Sequence, residues 1–406
     1  MATIYNPISA KNLIYFTLFF SPAYLIRFSI FNIPLNLLDI LILLTIGVWI
    51  YENSSHLLEK IKISLRKIIF ILPPVALILL GLFISALLNN NLFRELGIIK
   101  SWFILPIIFG FITFVEIKKN PEFDKILNTI FFSSFFISIV SLLYLALGQI
   151  TYDGRLNAFY LSPNHLAMII APGFLIGCWK LVTKKNINYY LIIYLVLMAL
   201  SLFYTHSYAT WISIFFSIFV ILISARKKYL LILIIAILFF FSLEYNSDKF
   251  KNIFNYSASS SLKSRLVIWQ VSEKIIFDNW LWGIGAGNFQ EKYLSYQKYF
   301  TPYPQWAVPQ PHNIFLAFWL QTGLIGLIGF LYLIIAWGLE TIKILVLSKD
   351  STEKNLSLIL LAIIFSMLIA GLFDTPYWKN DLSLIFWTII STGAKSRYFL
   401  LKKNSK

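Results

Sequence analysis

The feature that most constrains this chain is a series of apolar runs, each close to the length that crosses a membrane. Twelve can be marked, at about 12–31, 35–51, 69–88, 97–115, 126–147, 164–182, 189–205, 209–225, 229–244, 312–336, 356–373 and 381–395. A helix needs ~20 apolar residues to span a hydrocarbon core. Lipid offers no hydrogen bonds to a bare backbone, so runs of this length must be helical. The expectation is an all-α polytopic membrane protein of about 12 transmembrane helices with one long extracytoplasmic loop. Composition excludes a soluble alternative, because 59% of the 406 residues are apolar and 13% charged. A soluble surface requires far more charge. Short linkers join most runs, giving one integral membrane domain over 1–406 with the 245–311 loop within it.

The net charge of +16 would suit nucleic acid, but its distribution does not. With the N-terminus placed in the cytoplasm, 22 of the 34 Lys and Arg fall on the cytoplasmic side, including Lys60, Lys62, Arg66, Lys67, Lys118, Lys119, Lys402 and Lys403. The other side holds 12, seven of them in the one long loop, which the orientation rule discounts. This is positive-inside bias, with N- and C-termini cytoplasmic and anionic membrane lipids as the partners of the basic side chains. Nucleic acid has no support as a partner. The lone Cys178 lies within an apolar run, so no disulfide framework or Cys-based metal site exists, and a small apolar filler is the reading. Lys11 precedes the first run and no small-residue cleavage motif follows it, so it reads as a retained helix.

The 245–311 stretch breaks the pattern. Lys249 to Ser264 is rich in Ser, Asn and Lys and reads as mobile. From Leu262, the residues Leu262, Leu266, Trp269, Ile276 and Trp280 follow helical spacing, as for an amphipathic helix on the bilayer surface. Trp280 and Trp282 suit an interfacial belt. Gly283-Ile284-Gly285-Ala286-Gly287 lacks both the spacing and the preceding strand of a dinucleotide fingerprint, and reads as a sharp turn. Pro302, Pro304, Pro309 and Pro311 form a stiff strut that delivers His312 to the mouth of the tenth run.

Three outer segments carry unusual polar residues. They are Gly154-Arg155-Leu156-Asn157 with Ser162-Pro163-Asn164-His165, Ser264-Arg265-Leu266-Val267-Ile268-Trp269 with Gly283–Phe289, and Pro311-His312-Asn313-Ile314-Phe315-Leu316 with Gln321–Leu327. The Arg-x-x-x-Trp segment, the Gly-x-Gly-x-Gly-x-Phe turn and the His-Asn-x-x-Leu segment with Gly-Leu-Ile-Gly resemble the O-antigen ligase and O-antigen polymerase superfamily. The motifs cover residues 154–330, and their order and spacing are specific together rather than singly. The resemblance implies a C-type glycosyltransferase membrane fold in the bacterial inner (cytoplasmic) membrane. It implies a metal-independent, inverting transfer that needs no cofactor. The donor would be a glycan on undecaprenyl pyrophosphate and the acceptor a hydroxyl on a lipid, glycan or protein. Ligase, polymerase and protein O-oligosaccharyltransferase share these motifs and stay open.

The residues themselves agree with that chemistry. A departing pyrophosphate needs its charge neutralised by planar, permanently charged donors, and Arg155 and Arg265 are the candidates. The competing reading of each is a snorkelling arginine at a headgroup. A sugar hydroxyl is a poor nucleophile, and imidazole is best poised to take its proton near neutral pH. His312 is the candidate base, against a helix-capping histidine. Asn313, His165, His206 and Asp374 are candidate supporting residues, with Asp374 placed to orient His312 or pair with an arginine. Gly323, Gly326 and Gly329 read as close helix packing. Many ligases of the superfamily carry Ser-Arg at the turn between the seventh and eighth spans, where this chain has Ser207-Tyr208. Either His206 or Lys100 then covers the lost charge, or the donor is bound differently. A transporter or flippase is the competing class, but no repeat relates the two halves and the charges cluster outside rather than mid-bilayer.

The charge split makes a topological prediction. Cysteines placed within 245–300 should label with an impermeant thiol reagent in intact cells, and those within 60–67 or 226–228 should not. Labelling of Lys60→Cys would invert the orientation.

Overall fold

The computed structural model describes residues 9–30, 33–89, 91–183, 189–225, 227–245, 247, 250–251, 261–300 and 308–404. A helix stands at each of the twelve expected runs, and among the described residues four further short or surface helices accompany them. In order they are α1 (Ala10–Phe19), α2 (Leu37–Glu52), α3 (Leu57–Lys67), α4 (Leu72–Leu88), α5 (Leu92–Ile98), α6 (Leu105–Glu116), α7 (Asn120–Ala146) and α8 (Pro163–Thr183). Then come α9 (Tyr189–Tyr204), α10 (Tyr208–Ala225), α11 (Leu230–Glu244), α12 (Ser261–Asn279), α13 (Phe289–Tyr296), α14 (Ile314–Leu347), α15 (Ser351–Ala370) and α16 (Asn380–Asn404). Among the described residues the strands are one antiparallel hairpin, Arg27–Ile30 with Ile33–Asn36.

The all-α membrane architecture stands, but the expected count of about twelve crossings does not follow from it. Six helices among the described residues are long and apolar enough to cross a bilayer, or seven if the bent pair Leu37–Glu52 and Ser54–Lys67 is one span. Local chemistry accounts for the difference. Helix α1 ends at Phe19, where Ser21 and Pro22 open a 3₁₀ turn that leads into the hairpin. Helix α16 is long, but it mixes Ser and Thr with Lys395, Arg397, Lys402 and Lys403. Helices α4 and α9 are apolar but shorter. A π-helical segment at Ile99–Ile104 joins α5 to α6 in one span.

The bundle gathers the charges expected on each face. At one end Lys60 lies 3.0 Å from Glu116, Lys118 lies 3.7 Å from the same carboxylate, and Lys403 lies 3.2 Å from Asp350. Lys11 pairs with Glu122, and Arg397 with Glu340, at that end. The opposite end holds Lys100 with Asp39 at 3.1 Å, His165 with Asp381 at 3.1 Å, and His312 with Asp374 at 3.5 Å.

Helix α14 organises the second of these ends. Its Gly326 and Gly329 pack against α4 as expected, and a Cβ on Gly81 would stand only 2.7 Å from the Gly326 nitrogen. Gly323 does something else. Its φ of 67° and ψ of −177° break the helix, and the turn after α12 fills the break. Ile284 N donates to Leu320 O at 2.6 Å, and Leu324 N donates to Leu281 O at 3.0 Å. The expected Gly-rich turn is real, with Gly283, Gly285 and Gly287 all at positive φ. The side chain of buried Glu95 sits where a Cβ on Gly285 would be, and accepts from Asn288 Nδ2 at 2.6 Å.

The surface helix needs correction. The face of α12 that is buried carries Ser264, Ile268, Val271, Ser272, Ile275 and Ile276, so of the expected stripe Ile276 alone is fully buried. It packs into a small second core with Ile284, Phe289, Tyr293, Val308 and Leu320. Helical spacing marked an apolar helix, but the loop's own apolar residues, rather than lipid, cover this face. Trp280 and Trp282 stay 54% and 41% exposed, as a belt requires. Pro302 and Pro304 of the strut, and most of the Lys249–Ser264 segment, lie outside the described residues.

Gly323→Ala should destabilise the protein, because a Cβ there meets the backbone of Leu281 and Trp282 and the φ is left-handed. Strain of this kind costs of the order of 1–3 kcal/mol. Gly338→Ala has open space and serves as the neutral control. Equal melting temperatures for the two variants in detergent would contradict the docked break.

Candidate functional site

Arg155, on the loop before α8, and Arg265 and His312, both on the long stretch between α11 and α14, are brought by folding to one cleft. Its volume is about 150 Å³, and Asn164, Ser207, Tyr208 and Ser264 share the lining. Arg155 is fixed by a tight loop in which Thr151 N donates to Arg155 O at 2.9 Å and Leu156 N reaches Tyr204 O at 2.8 Å. Its Nε donates to Thr205 O at 2.8 Å and its Nη2 to Asn164 Oδ1 at 2.7 Å. Asn164 then donates through Nδ2 to Asp374 Oδ2 at 2.8 Å. Arg265 sits in the second turn of α12, and its Nε has no hydrogen-bond partner among the described residues.

Asp374 is the hub. It is 7% exposed, and its other oxygen lies 3.5 Å from His312 Nδ1. Burial works to raise its carboxyl. The charge and hydrogen bond of His312, the Arg265 guanidinium and the Thr375 N–H overcome that, and hold it well below the usual carboxylate range. Burial also pulls both guanidiniums below their ordinary value. For Arg155, Asp153 opposes the shift while Arg265 adds like-charge repulsion, and for Arg265, Asp374 opposes it. Both remain cations. The cleft therefore holds two desolvated cations that disfavour each other, an arrangement that a bound anion relieves.

His312 is held rigidly. Its φ is +48°, unusual for a residue with a side chain. The next residue, Asn313, caps α14 by accepting from Phe315 N at 2.9 Å and Leu316 N at 3.1 Å, and its Nδ2 donates to Leu372 O at 3.2 Å. Trp269 Nε1 donates to His312 O at 3.4 Å. The Arg-x-x-x-Trp spacing is one helical turn, so Arg265 and Trp269 approach the His312 and Asp374 pair from the same face of α12.

Three other candidates lie outside the cleft lining. His165 is 3% exposed, with Nε2 3.1 Å from Asp381 Oδ1 and Nδ1 3.4 Å from the Tyr24 hydroxyl. Lys100 pairs with Asp39 instead of covering the place of an arginine. His206 lies 3.0 Å from Glu244. Sequence reasoning missed Asn164 as a link between Arg155 and Asp374. The sequence marks Pro163-Asn164 only as part of an outer polar segment, and the fold alone shows that the Asn164 amide reaches both Arg155 and Asp374. Among the described residues no group of three or more His, Cys, Asp or Glu side chains is placed to hold a metal ion.

Residues 193–331 match the family model described as O-antigen ligase. The chain carries an O-antigen ligase family segment. This segment includes Tyr208, Arg265 and His312, while Arg155 and Asn164 come to the same cleft from outside it and Asp374 stands behind the lining against Asn164 and His312. The match supports O-antigen ligase or polymerase type activity on lipid-linked glycans, in a membrane protein. No curated protein matches the chain.

Asp374 sets a pH signature. Its folded carboxyl titrates below the unfolded value near 3.9, so its contribution is present above that value and is lost as pH falls through the folded one. Asp374→Asn should lower the melting temperature at pH 7, and the gap to wild type should close as pH falls below about 4. A gap that is constant with pH would remove the ionised carboxylate from the network.

Proposed function

We propose that this protein is an O-antigen ligase-type glycosyltransferase that moves a glycan from undecaprenyl pyrophosphate to an acceptor hydroxyl at the extracytoplasmic face. The acceptor is a lipid A core or another cell-surface molecule. The observation that carries this reading is the meeting of Arg155, Arg265 and His312 in one cleft. Two desolvated guanidiniums suit a pyrophosphate in the ground state and suit the leaving group more, because its charge grows as the glycosidic C–O bond breaks.

The His312 and Asp374 pair supplies the complementary base. In its neutral form, with Nδ1 3.5 Å from the ionised Asp374, His312 would carry its proton on Nδ1 and leave Nε2 as the basic nitrogen. The acceptor O–H gives its proton to Nε2 as its oxygen attacks the anomeric carbon. Lipid pyrophosphate leaves from the opposite face with inversion, its charge taken up by Arg155 and Arg265. Asn164 couples the two halves by holding Arg155 through one amide atom and Asp374 through the other. In this reaction the arginines do the work that a divalent cation does in other pyrophosphate chemistry, so no metal or cofactor is needed.

Purified protein, undecaprenyl pyrophosphate-linked glycan and acceptor test the reading. Arg155→Lys and Arg265→Lys should each lose about 10²–10³-fold in rate, since a point charge does not replace a bidentate fork. His312→Ala should still bind the donor yet transfer almost nothing, and EDTA should leave wild-type turnover unchanged. Full activity in His312→Ala would remove the base, and loss restored by magnesium would remove the arginine mechanism.

A further inference from the structure

The end of the bundle opposite the cleft carries a groove that the transfer reaction does not use. Helix α3 shapes it. The segment Ser54–Lys67 turns by 73° from α2, so a crossing α2 leaves α3 lying along the membrane surface. Leu57, Ile61 and Leu65 recur every four residues and pack onto the core, while Lys62 and Arg66 stay exposed, as an interfacial helix requires. Between the last turn of α3, the start of α4, and α6 and α16 lies a groove of about 210 Å³. Leu65, Ile68, Val75, Phe111, Phe114 and Ala394 are among the apolar side chains that line it. Ile108 in the same lining is 36% exposed, so the groove opens sideways toward lipid.

Cations stand at one end of this groove. Lys67 lies next to Ile68 of the lining, and Lys395 follows Ala394 directly. Lys395 is 7% exposed, with its ammonium 4.7 Å from the centre of the Phe114 ring. The Tyr398 ring receives both ammoniums, Lys67 at 4.6 Å and Lys395 at 5.6 Å. Among the described residues neither has a carboxylate at ion-pair distance. Glu116 is taken by Lys60 at 3.0 Å and Lys118 at 3.7 Å, and Glu122 is taken by Lys11. Aromatic rings hold an ammonium in place but leave its charge uncancelled. A buried cation without a counter-ion is costly, and an anion at this end of the groove relieves that cost.

We propose that this groove binds one anionic glycerophospholipid, with an acyl chain against Phe111 and Phe114 and the phosphate at Lys67 and Lys395. Free phosphate would meet the cations and leave the groove unfilled. A zwitterionic lipid would fill the groove but bring a cation of its own to two others. An anionic lipid satisfies both halves of the site, and it fills the angle between the surface helix and the bundle.

The test uses purified, delipidated protein in a neutral detergent, with binding read from the rise in melting temperature. The probes are dioleoyl phosphatidylglycerol, dioleoyl phosphatidylcholine and inorganic phosphate. Wild type should bind phosphatidylglycerol about tenfold to thirtyfold more tightly than phosphatidylcholine, the worth of two cations at a headgroup, and phosphate alone should give no shift. Lys67→Gln, at the end of a surface helix, should reduce that preference about fivefold. Lys62→Gln removes the same charge from the exposed face of the same helix and should leave the preference intact. Equal affinity of wild type for the two lipids overturns the proposal, and so does a preference unchanged in Lys67→Gln. An equal loss in Lys62→Gln and Lys67→Gln also overturns it, by assigning the preference to the basic surface as a whole. A shift by phosphate matching that of the lipid would reduce the site to a bare anion site. No response to any probe would leave the groove to a second copy of the chain or another protein, and either result defeats the lipid assignment.

Discussion

A broken helix in lipid must find partners for the backbone groups it exposes, and that requirement shapes the functional end of this protein. Helix α14 runs for 34 residues, roughly 50 Å at 1.5 Å per residue, well beyond the ~30 Å of a hydrocarbon core. The break at Gly323 divides it into a short stub and a longer apolar part. Leu320 O and Leu324 N, freed by the break, pair with Ile284 N and Leu281 O of the Gly-rich turn. The turn has to be there for the backbone to be satisfied. The long loop is thereby anchored to the bundle, and with it α12, Arg265 and Trp269.

The stub does a second job. Its N-cap, Asn313, is tied to Leu372, and Ile314 N donates to Gly371 O at 2.7 Å. Those bonds put His312 beside Asp374 on the connection after α15. A base on a free loop would sample many positions, and rigid placement is what gives proximity its catalytic value. The same logic applies to Arg155, whose guanidinium is held by a backbone carbonyl and by Asn164 in addition to a 3.8 Å ion pair with Asp153.

The electrostatics of the cleft follow from two carboxylates that stand behind its lining residues. Asp374 is buried among His312, Asn164 and Arg265, and holds the constellation together without quenching both guanidiniums. Glu244 is kept behind Tyr208, whose hydroxyl donates to it at 2.9 Å. The result is a small polar chamber with a cationic wall and an imidazole. These groups come from different parts of the chain, and only some of them fall within the segment matching the O-antigen ligase family.

The sequence by itself determined the membrane class, the position of nearly every helix, the segregation of charge to two ends, and the residue types for the chemistry. These are local properties, set by runs of apolar side chains, caps and charge counts that need no knowledge of distant contacts. It also marked Arg155, Arg265, His312 and Asp374, because charged and titratable groups beside apolar runs are costly enough to stand out. Tertiary structure alone decided what those residues do to one another. Asn164 as a bridge, Gly323 as a break rather than a packing notch, the inward face of α12, and Glu244 behind Tyr208 all depend on contacts across long stretches of sequence. Helical period says that a face is apolar but not what covers it, and spacing says that a polar residue exists but not whose lone pair it meets.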